Sequence, residues 1–227
     1  MSSKQIFPVV ILEELLSPHT LKDFWDLHLS REPYAAPFKA QRFKNLINWG
    51  LIESILATQH GDCWLPQLGH LPHQKELATG RLTINQAREN FKQGRTVLVR
   101  HAEKAHSALE EIAHNFFQVF HAPIDIQIYC TPAGQEGFNW HYDLEEVFVL
   151  QSSGEKEFFL RKNTFNPRPT FMPKDLEFEK ETNRTEIRCL LKEGDWLYIP
   201  SGYWHKARAL TDSFHMSVGV MPTWRLS

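Results

Sequence analysis

The chain of 227 residues is long enough for one domain, or for one domain with a small additional lobe. Its 25 Lys and Arg residues nearly balance its 27 Asp and Glu residues, so it lacks the basic surplus that non-specific nucleic-acid binding requires. A hydrophobic content of 42% and a charged content of 23% are typical of a folded soluble protein and exclude wholesale disorder.

We expect neither a transmembrane helix nor a secretory signal in this sequence. It has no apolar run of about 18 residues, the length that predicts a transmembrane helix. Glu13 and Glu14 interrupt the apolar N-terminal stretch too early for a secretory signal. Cys63, Cys130 and Cys189 are odd in number and far apart, which favours reduced thiols over disulfides. We therefore expect a cytoplasmic protein without nucleic-acid or membrane partners, whose oligomeric state the sequence does not determine.

Helical patterns dominate the first half of the chain. Ser17-Pro18 is typical of an N-cap followed by proline at the first helical position, and a second helix is predicted over Leu46–Ala57. Glycines and prolines predict a loop over residues 61–80, and Thr83–Gln86 fits a capping box that opens a short helix. Apolar residues at helical spacing then predict an amphipathic helix. These residues are Leu109, Ile112, Ala113, Phe116, Phe117 and Phe120.

Strand patterns dominate the second half. Short segments rich in β-branched and aromatic residues alternate with turn signals, which predicts a sandwich or barrel. The predicted strands are Thr96–Val99, Ile124–Cys130, Val147–Gln151, Lys156–Arg161, Ile187–Leu191, Trp196–Ile199 and Phe214–Met221. A long polar loop over residues 163–184 interrupts them. We expect a mainly β fold with two parts: a helical N-terminal lobe, residues 1–95, packed on a barrel, residues 96–227.

His141-Tyr142-Asp143 is the strongest candidate for chemistry. In an extended segment the side chains of residues i and i+2 point to the same side, so His141 and Asp143 would converge. With a third ligand they would form the 2-His-1-carboxylate set that binds non-haem Fe(II) and leaves open positions. The leading candidate for the third ligand is His205, which follows the Gly194-Asp195 and Pro200-Ser201-Gly202 turns. A lone His-X-Asp is common by chance, so the ordered set of motifs carries this prediction.

Two blocks of sequence resemble one known family. The segment from His141 to Lys156 (HYDLEEVFVLQSSGEK) looks like the JmjC-type, cupin-like 2-oxoglutarate oxygenases, most of all the branch that contains the ribosomal oxygenases. The segment from Gly194 to His205 (GDWLYIPSGYWH) is similar to the second ligand motif of that family. The resemblance implies a double-stranded β-helix in which His141, Asp143 and His205 hold Fe(II), with 2-oxoglutarate as cosubstrate.

The resemblance also implies how the cosubstrate is bound. Lys156, across a Ser152-Ser153-Gly154 hairpin from the iron-bearing strand, stands where the family places the lysine that pairs with the distal carboxylate. Tyr129 matches a family tyrosine that contacts the same group. Gln127 shares a strand face with Tyr129 by the period of two, and His215 is expected nearby. A solvated lysine and a core tyrosine are the structural alternatives.

We therefore expect an Fe(II)- and 2-oxoglutarate-dependent oxygenase that hydroxylates an amino-acid side chain of a protein or peptide. The same chemistry on an N-methyl carbon would be demethylation. A small-molecule or non-oxoacid cupin metalloenzyme and a catalytically silent cupin binding module are the alternatives. The family's ribosomal oxygenases continue into a dimerisation region and a winged helix, and this sequence stops at Ser227. We therefore expect neither dimerisation by that route nor, on the resemblance alone, a ribosomal substrate.

Overall fold

A computed structural model describes residues 10–66, 82–172 and 177–221. The α-helices within these ranges are α1 (Ile11–Leu16), α2 (Leu21–Leu27), α3 (Trp49–Leu56), α4 (Ile84–Lys92) and α5 (Ser107–Phe120). The strands are β1 (Tyr34–Ala36), β2 (Asp62–Trp64), β3 (Val97–Arg100), β4 (Ile124–Thr131), β5 (Glu146–Ser153), β6 (Lys156–Arg161), β7 (Ile187–Leu191), β8 (Trp196–Ile199), β9 (Trp204–Ala209) and β10 (Ser213–Val220).

The strands form two antiparallel sheets. The larger sheet has the order β1-β8-β5-β10-β4-β3-β2, and the smaller has the order β7-β6-β9. Apolar side chains between the sheets include Val149 of β5, Leu197 of β8 and Phe158 of β6. The predicted mainly β architecture with N-terminal helices is confirmed.

The period of two in β4 separates the hydrophobic core from a cavity between the sheets. Ile126, Ile128 and Cys130 belong to the main core, where the helices cover the outer face of the larger sheet. Gln127 and Tyr129 alternate with them and line the cavity. One face of the sheet therefore stabilises the fold and the other forms the candidate site.

Helix α5 confirms the predicted amphipathic pattern. Leu109, Phe116 and Phe120 are buried in the main core, as their spacing predicts. Phe117 is the exception, because 45% of its surface is exposed. It lies at the edge of the apolar stripe, where one further residue turns the side chain away from the sheet.

The N-terminal segment differs from its prediction in two ways. Helix α2 begins at Leu21 after a capping box formed by Thr20 and Asp23, so Ser17-Pro18 is not its start and Ser17 ends α1 instead. Strands β1 and β2 also add to the edges of the larger sheet, so the segment is not purely helical. The capping box at Thr83 is confirmed. The boundary between residues 95 and 96 stays a prediction.

Part of the predicted loop lies outside the described residues. Strand β2 occupies the start of the 61–80 stretch, and residues 67–81 fall outside the described ranges. Among the described residues, no helix is both long enough and apolar enough to cross a membrane.

The predicted hairpin between β5 and β6 is wrong. β5 pairs with β8 and β10, whereas β6 pairs with β7 and β9, so the chain crosses from one sheet to the other at this turn. Gly154 makes the crossing with φ +72°, and a Cβ there would lie 2.0 Å from the carbonyl oxygen of Asp212. Glycine is therefore required by both conformation and space. Lys156 enters the cavity from the opposite sheet, not from a neighbouring strand.

Candidate metal centre and cavity

His141 and His205 face each other across a backbone bridge. The N–H of His141 donates to the carbonyl of His205 at 3.0 Å, and the N–H of His205 donates to the carbonyl of His141 at 2.7 Å. The two ring centroids are 4.1 Å apart. Strand β9, which carries His205, is absent from the sequence prediction, because the polar residues of this segment obscure its alternation.

The predicted triad comes together in space. The Oδ2 atom of Asp143 lies 3.4 Å from Nε2 of His205, and one ligand atom from each of Asp143, His141 and His205 lies within 4.8 Å of the others. Both histidines are buried, and Asp143 is half-buried. Two imidazoles and one carboxylate at this separation can hold a divalent cation.

Backbone carbonyls orient the two imidazoles. Nδ1 of His141 lies 2.7 Å from the carbonyl oxygen of Asn139, and Nδ1 of His205 lies 3.0 Å from that of Tyr203. A carbonyl oxygen only accepts hydrogen bonds, so each Nδ1 carries a proton, and Nε2 is the nitrogen left to bind a metal ion. This is the arrangement of histidines that ligate metals through Nε2.

The turn before His205 is fastened to the segment that carries Asp143. The N–H of Gly202 donates to the carbonyl of Asp143 at 2.8 Å, and the hydroxyl of Ser201 donates to the carbonyl of Leu144 at 2.7 Å. The N–H of Ser201 donates to the carboxylate of Glu146 at 3.1 Å. These bonds fix the backbone that carries Asp143 relative to the turn before His205.

A cavity of about 200 Å³ opens beside the triad, between the two sheets. Lys156 is 2% exposed and donates from Nζ to the hydroxyl of Thr131 at 2.9 Å. Burial lowers the pKa of the Lys156 ammonium to about 7, and no carboxylate among the described residues forms an ion pair with it. An ammonium group has three donors, so this one has capacity for an anionic ligand.

Tyr129, Gln127 and His215 line the same cavity. The hydroxyl of Tyr129 donates to Oε1 of Gln127 at 2.9 Å, and the ring stacks on His215 with centroids 4.8 Å apart. Burial and the neighbouring Lys156 hold the pKa of His215 well below its usual range. Its Nδ1 atom is buried and has no hydrogen-bond partner in the part of the chain that the structure describes.

The opposite end of the cavity is charged. Asp125, Glu145 and Arg100 all line it. Burial, followed by the nearby carboxylate of Asp143, raises the pKa of Glu145 to about 7. The guanidinium of Arg100 lies 4.6 Å from the ring centroid of Trp64. This end can receive a polar side chain.

A second group of possible ligands, His101, Glu103 and Asp125, is already engaged within the protein. Nδ1 of His101 lies 2.6 Å from Asp125, and Glu103 accepts a hydrogen bond from the N–H of Ile126 at 2.9 Å. These bonds tie the start of β4 to the preceding loop, which is a structural role.

Glu181 anchors the long loop to the metal-site strand. Its carboxylate accepts hydrogen bonds from Nε1 of Trp204 at 3.2 Å, from the N–H of Thr164 at 2.7 Å and from the N–H of Asn183 at 2.8 Å. Burial alone would raise the pKa of Glu181, but hydrogen bonds from the hydroxyl of Thr164 and from the N–H groups of Asn183, Thr164 and Phe165 lower it to about 2. Trp204 directly precedes His205, so the described part of the loop around Glu181 is held beside the site.

All seven predicted site residues line one cavity, and sequence reasoning missed two of their supports. Thr131, which accepts the hydrogen bond from Lys156, lies one residue beyond the end of the predicted strand. Extending the period of two from Gln127 and Tyr129 would have placed it on the same face. Glu146 is buried beneath the Ser201 turn, and no local pattern identifies that contact.

Known proteins are similar to this chain in sequence and in fold. Ribosomal oxygenase 2 from Bos taurus is 28% identical over 230 residues, covering 94% of this chain and 48% of the relative. The bifunctional lysine-specific demethylase and histidyl-hydroxylase NO66 from Dictyostelium discoideum is 26% identical, covering 92% of this chain and 42% of the relative. The chain thus spans about half the length of these curated relatives.

A solved structure of YcfD, a ribosomal oxygenase from Escherichia coli, in complex with cobalt and 2-oxoglutarate, aligns with a TM-score of 0.61. The identity is 18%, and the alignment covers 89% of this chain and 52% of YcfD. This likeness confirms the predicted double-stranded β-helix fold.

The family model of the JmjC domain matches residues 99–225. That range contains all three residues of the triad and the strand that carries Lys156. Since the match covers more than half of the sequence, the chain belongs to the JmjC domain family.

Proposed function

We propose that this protein is an Fe(II)- and 2-oxoglutarate-dependent oxygenase that hydroxylates an amino-acid side chain of a protein or peptide. The observation that carries the proposal is the convergence of His141, Asp143 and His205 beside a cavity that contains a buried lysine. Membership of the JmjC domain family supports the same chemistry.

His141, Asp143 and His205 would hold Fe(II). Their donor set is the facial triad of non-haem iron oxygenases, which leaves positions open for cosubstrate and oxygen. The carbonyl partners of both Nδ1 atoms support this role, because they fix the tautomer that ligation requires.

Lys156 and Thr131 would bind the distal carboxylate of 2-oxoglutarate. The ammonium group is buried, and its one hydrogen bond to the protein leaves donors for an anion. Nδ1 of His215, which the described residues leave without a partner, would face the same ligand. Tyr129 would hold the ring of His215 in place by stacking, while Gln127 orients the tyrosine hydroxyl.

Bound iron and 2-oxoglutarate would together supply an oxidation that inserts one atom of O₂ into a C–H bond and releases succinate and CO₂. The protein's own residues bind and orient. The apolar side chains of Val149 and Phe158 line the cavity and exclude water from it. Glu145 and Arg100 at the opposite end would receive the polar part of the target side chain.

A polypeptide substrate fits the surface beside the cavity. Met172 lines the cavity and its neighbour Phe171 is 70% exposed, an apolar surface against which a peptide can pack. The relatives named as ribosomal oxygenase 2 and as histidyl-hydroxylase support a protein substrate. A cytoplasmic location and the absence of nucleic-acid and membrane partners stay predictions.

The test is succinate formation by the iron-loaded protein with 2-oxoglutarate, with and without a peptide library. We expect succinate in both cases, and a mass increase of one oxygen atom on a subset of peptides. Asp143→Ala is the matched control and should form no succinate. Formaldehyde in place of a mass increase would identify demethylation. No succinate above the Asp143→Ala level would favour a silent or non-oxoacid cupin.

A further inference from the structure

A loop of the N-terminal segment reaches the turn that precedes His205. The hydroxyl of Ser30 donates a hydrogen bond to the carboxylate of Glu146, and the N–H of Ser30 donates to the hydroxyl of Tyr198 at 2.8 Å. Two residues later, Glu32 accepts a hydrogen bond from the hydroxyl of Tyr203 at 2.7 Å. The loop therefore contacts residues on both sides of the turn.

The Glu146 carboxylate is the centre of this network. It is fully buried and accepts hydrogen bonds from the hydroxyls of Ser30 and Tyr198 and from the N–H of Ser201. A buried carboxylate that loses a donor is left poorly solvated, so each of these bonds constrains its partner. Glu146 thus holds the Ser201 turn to the N-terminal loop.

The backbone of Ser30 gives independent support. Ser30 adopts φ +57°, a left-handed conformation that is uncommon for a residue other than glycine. Such a conformation persists where surrounding contacts determine it. Here both the N–H and the hydroxyl of Ser30 are used in the network, so its conformation serves these two contacts.

The network ends at two of the candidate metal ligands. The N–H of Gly202 in the Ser201 turn donates to the carbonyl of Asp143, and His205 lies three residues after Gly202. A shift of the turn would change the separation between the carboxylate of Asp143 and Nε2 of His205, which is 3.4 Å. Metal affinity depends on that separation.

We infer that Ser30 and Glu146 are positioning residues that hold Asp143 and His205 at the spacing a metal ion needs. This inference rests on the proposed metal centre. It makes the N-terminal segment a functional part of the catalytic unit, although it contributes no ligand.

The test is a titration of metal-free protein with Co(II), followed by the visible absorption of the bound ion, which needs no substrate or turnover. Ser30→Ala, Tyr198→Phe and Glu146→Gln should each bind Co(II) up to about 10-fold more weakly than the parent, less than the loss of a direct hydrogen-bond partner of a ligand would cause, because they act through the Ser201 turn. The absorption band should also shift, because the ligand geometry changes. The double variant Ser30→Ala/Glu146→Gln should bind no more weakly than Glu146→Gln, since Ser30 acts through Glu146.

The matched control is Glu14→Gln. Glu14 lies on the same N-terminal segment and forms an exposed ion pair with Arg42 at 2.9 Å, so its loss should leave Co(II) affinity unchanged. Variants that unfold at lower temperature yet bind Co(II) like the parent would show a merely structural network and overturn the inference. If Glu146→Gln does not fold, the Co(II) affinities of Ser30→Ala and Tyr198→Phe test the inference. Failure of the parent itself to bind Co(II) would overturn the proposed metal centre as well.

Discussion

Lys156→Ala should weaken 2-oxoglutarate binding by about 10- to 100-fold while leaving metal binding intact. A hydrogen bond to a charged group contributes ~1.5–3 kcal/mol net, and each tenfold change in affinity corresponds to about 1.4 kcal/mol. That range applies here because Lys156 is 2% exposed, so its ammonium group would meet the ligand away from bulk water. Metal binding should survive, since the triad does not include Lys156.

The lowered pKa of Lys156 adds a pH dependence that the variant should lose. Burial lowers this pKa from 10.5 to about 7, so above pH 7 the unliganded side chain is increasingly neutral. A dicarboxylate then binds only with uptake of a proton, and its affinity should fall by up to about tenfold per pH unit from pH 7 towards 10. His215 has a lowered pKa and Cys130 and Tyr129 have raised ones, so none of the three reproduces this slope. Glu145, at the opposite end of the cavity, also has a pKa of about 7, so the part of the slope that Lys156→Ala loses is the part due to Lys156.

The assay is an anaerobic calorimetric titration of 2-oxoglutarate into metal-loaded protein between pH 6.5 and about 9. Lys156→Arg should recover only part of the affinity, because a planar guanidinium does not fit a site shaped for an ammonium. Lys192→Ala, which removes an exposed lysine paired with Glu155, is the matched control and should behave like the parent. The reasoning is refuted if Lys156→Ala keeps both the parent affinity at pH 7 and the parent pH slope.

Three further predictions concern the metal centre and its supports. His141→Ala, Asp143→Ala and His205→Ala should each abolish stoichiometric Fe(II) binding, measured by metal analysis after desalting, because two ligands hold Fe(II) poorly. His215→Ala should keep its iron and lose 2-oxoglutarate affinity in the same titration, and loss of iron would mean that His215 is a ligand. Glu181→Gln should lower the free energy of unfolding at pH 7 by about 1–3 kcal/mol in urea. Because the folded pKa of Glu181 is about 2, against a usual 4.5, its contribution is present above pH 4.5 and lost as the pH falls towards 2, so an equal difference at pH 7 and pH 3 would contradict this role.

Local patterns account for the parts of the molecule that the sequence predicted. The stripe of α5 and the alternation of β4 are visible in single segments, since each follows the period of its own backbone. The His141-Tyr142-Asp143 motif is equally local. Its partner His205 was found because Gly- and Pro-containing turns mark the segment in which it lies.

Contacts between distant segments account for what the sequence did not predict. The crossing at Gly154 looks like a hairpin turn in sequence, and only strand pairing elsewhere shows that β5 and β6 lie in different sheets. Strand β9 has weak alternation and exists through its pairing with β6. The hydrogen bond from Ser30 to Glu146 joins residues 116 positions apart, and no periodicity relates them.

Unsatisfied polar atoms identify the cosubstrate end of the cavity only in combination with its shape. Among the described residues, six buried side-chain atoms have no hydrogen-bond partner, and only Nδ1 of His215 belongs to a residue that lines the cavity. An unpaired atom alone would therefore point to five other places. Glu146 and Glu181 are buried carboxylates with several donors each, and the fold itself satisfies them. Lys156 differs from both, because its charge is buried and no carboxylate among the described residues neutralises it. Burying such a charge destabilises the unliganded protein, and a dianion in this cavity removes that penalty, which is why the same residue should govern both affinity and its dependence on pH.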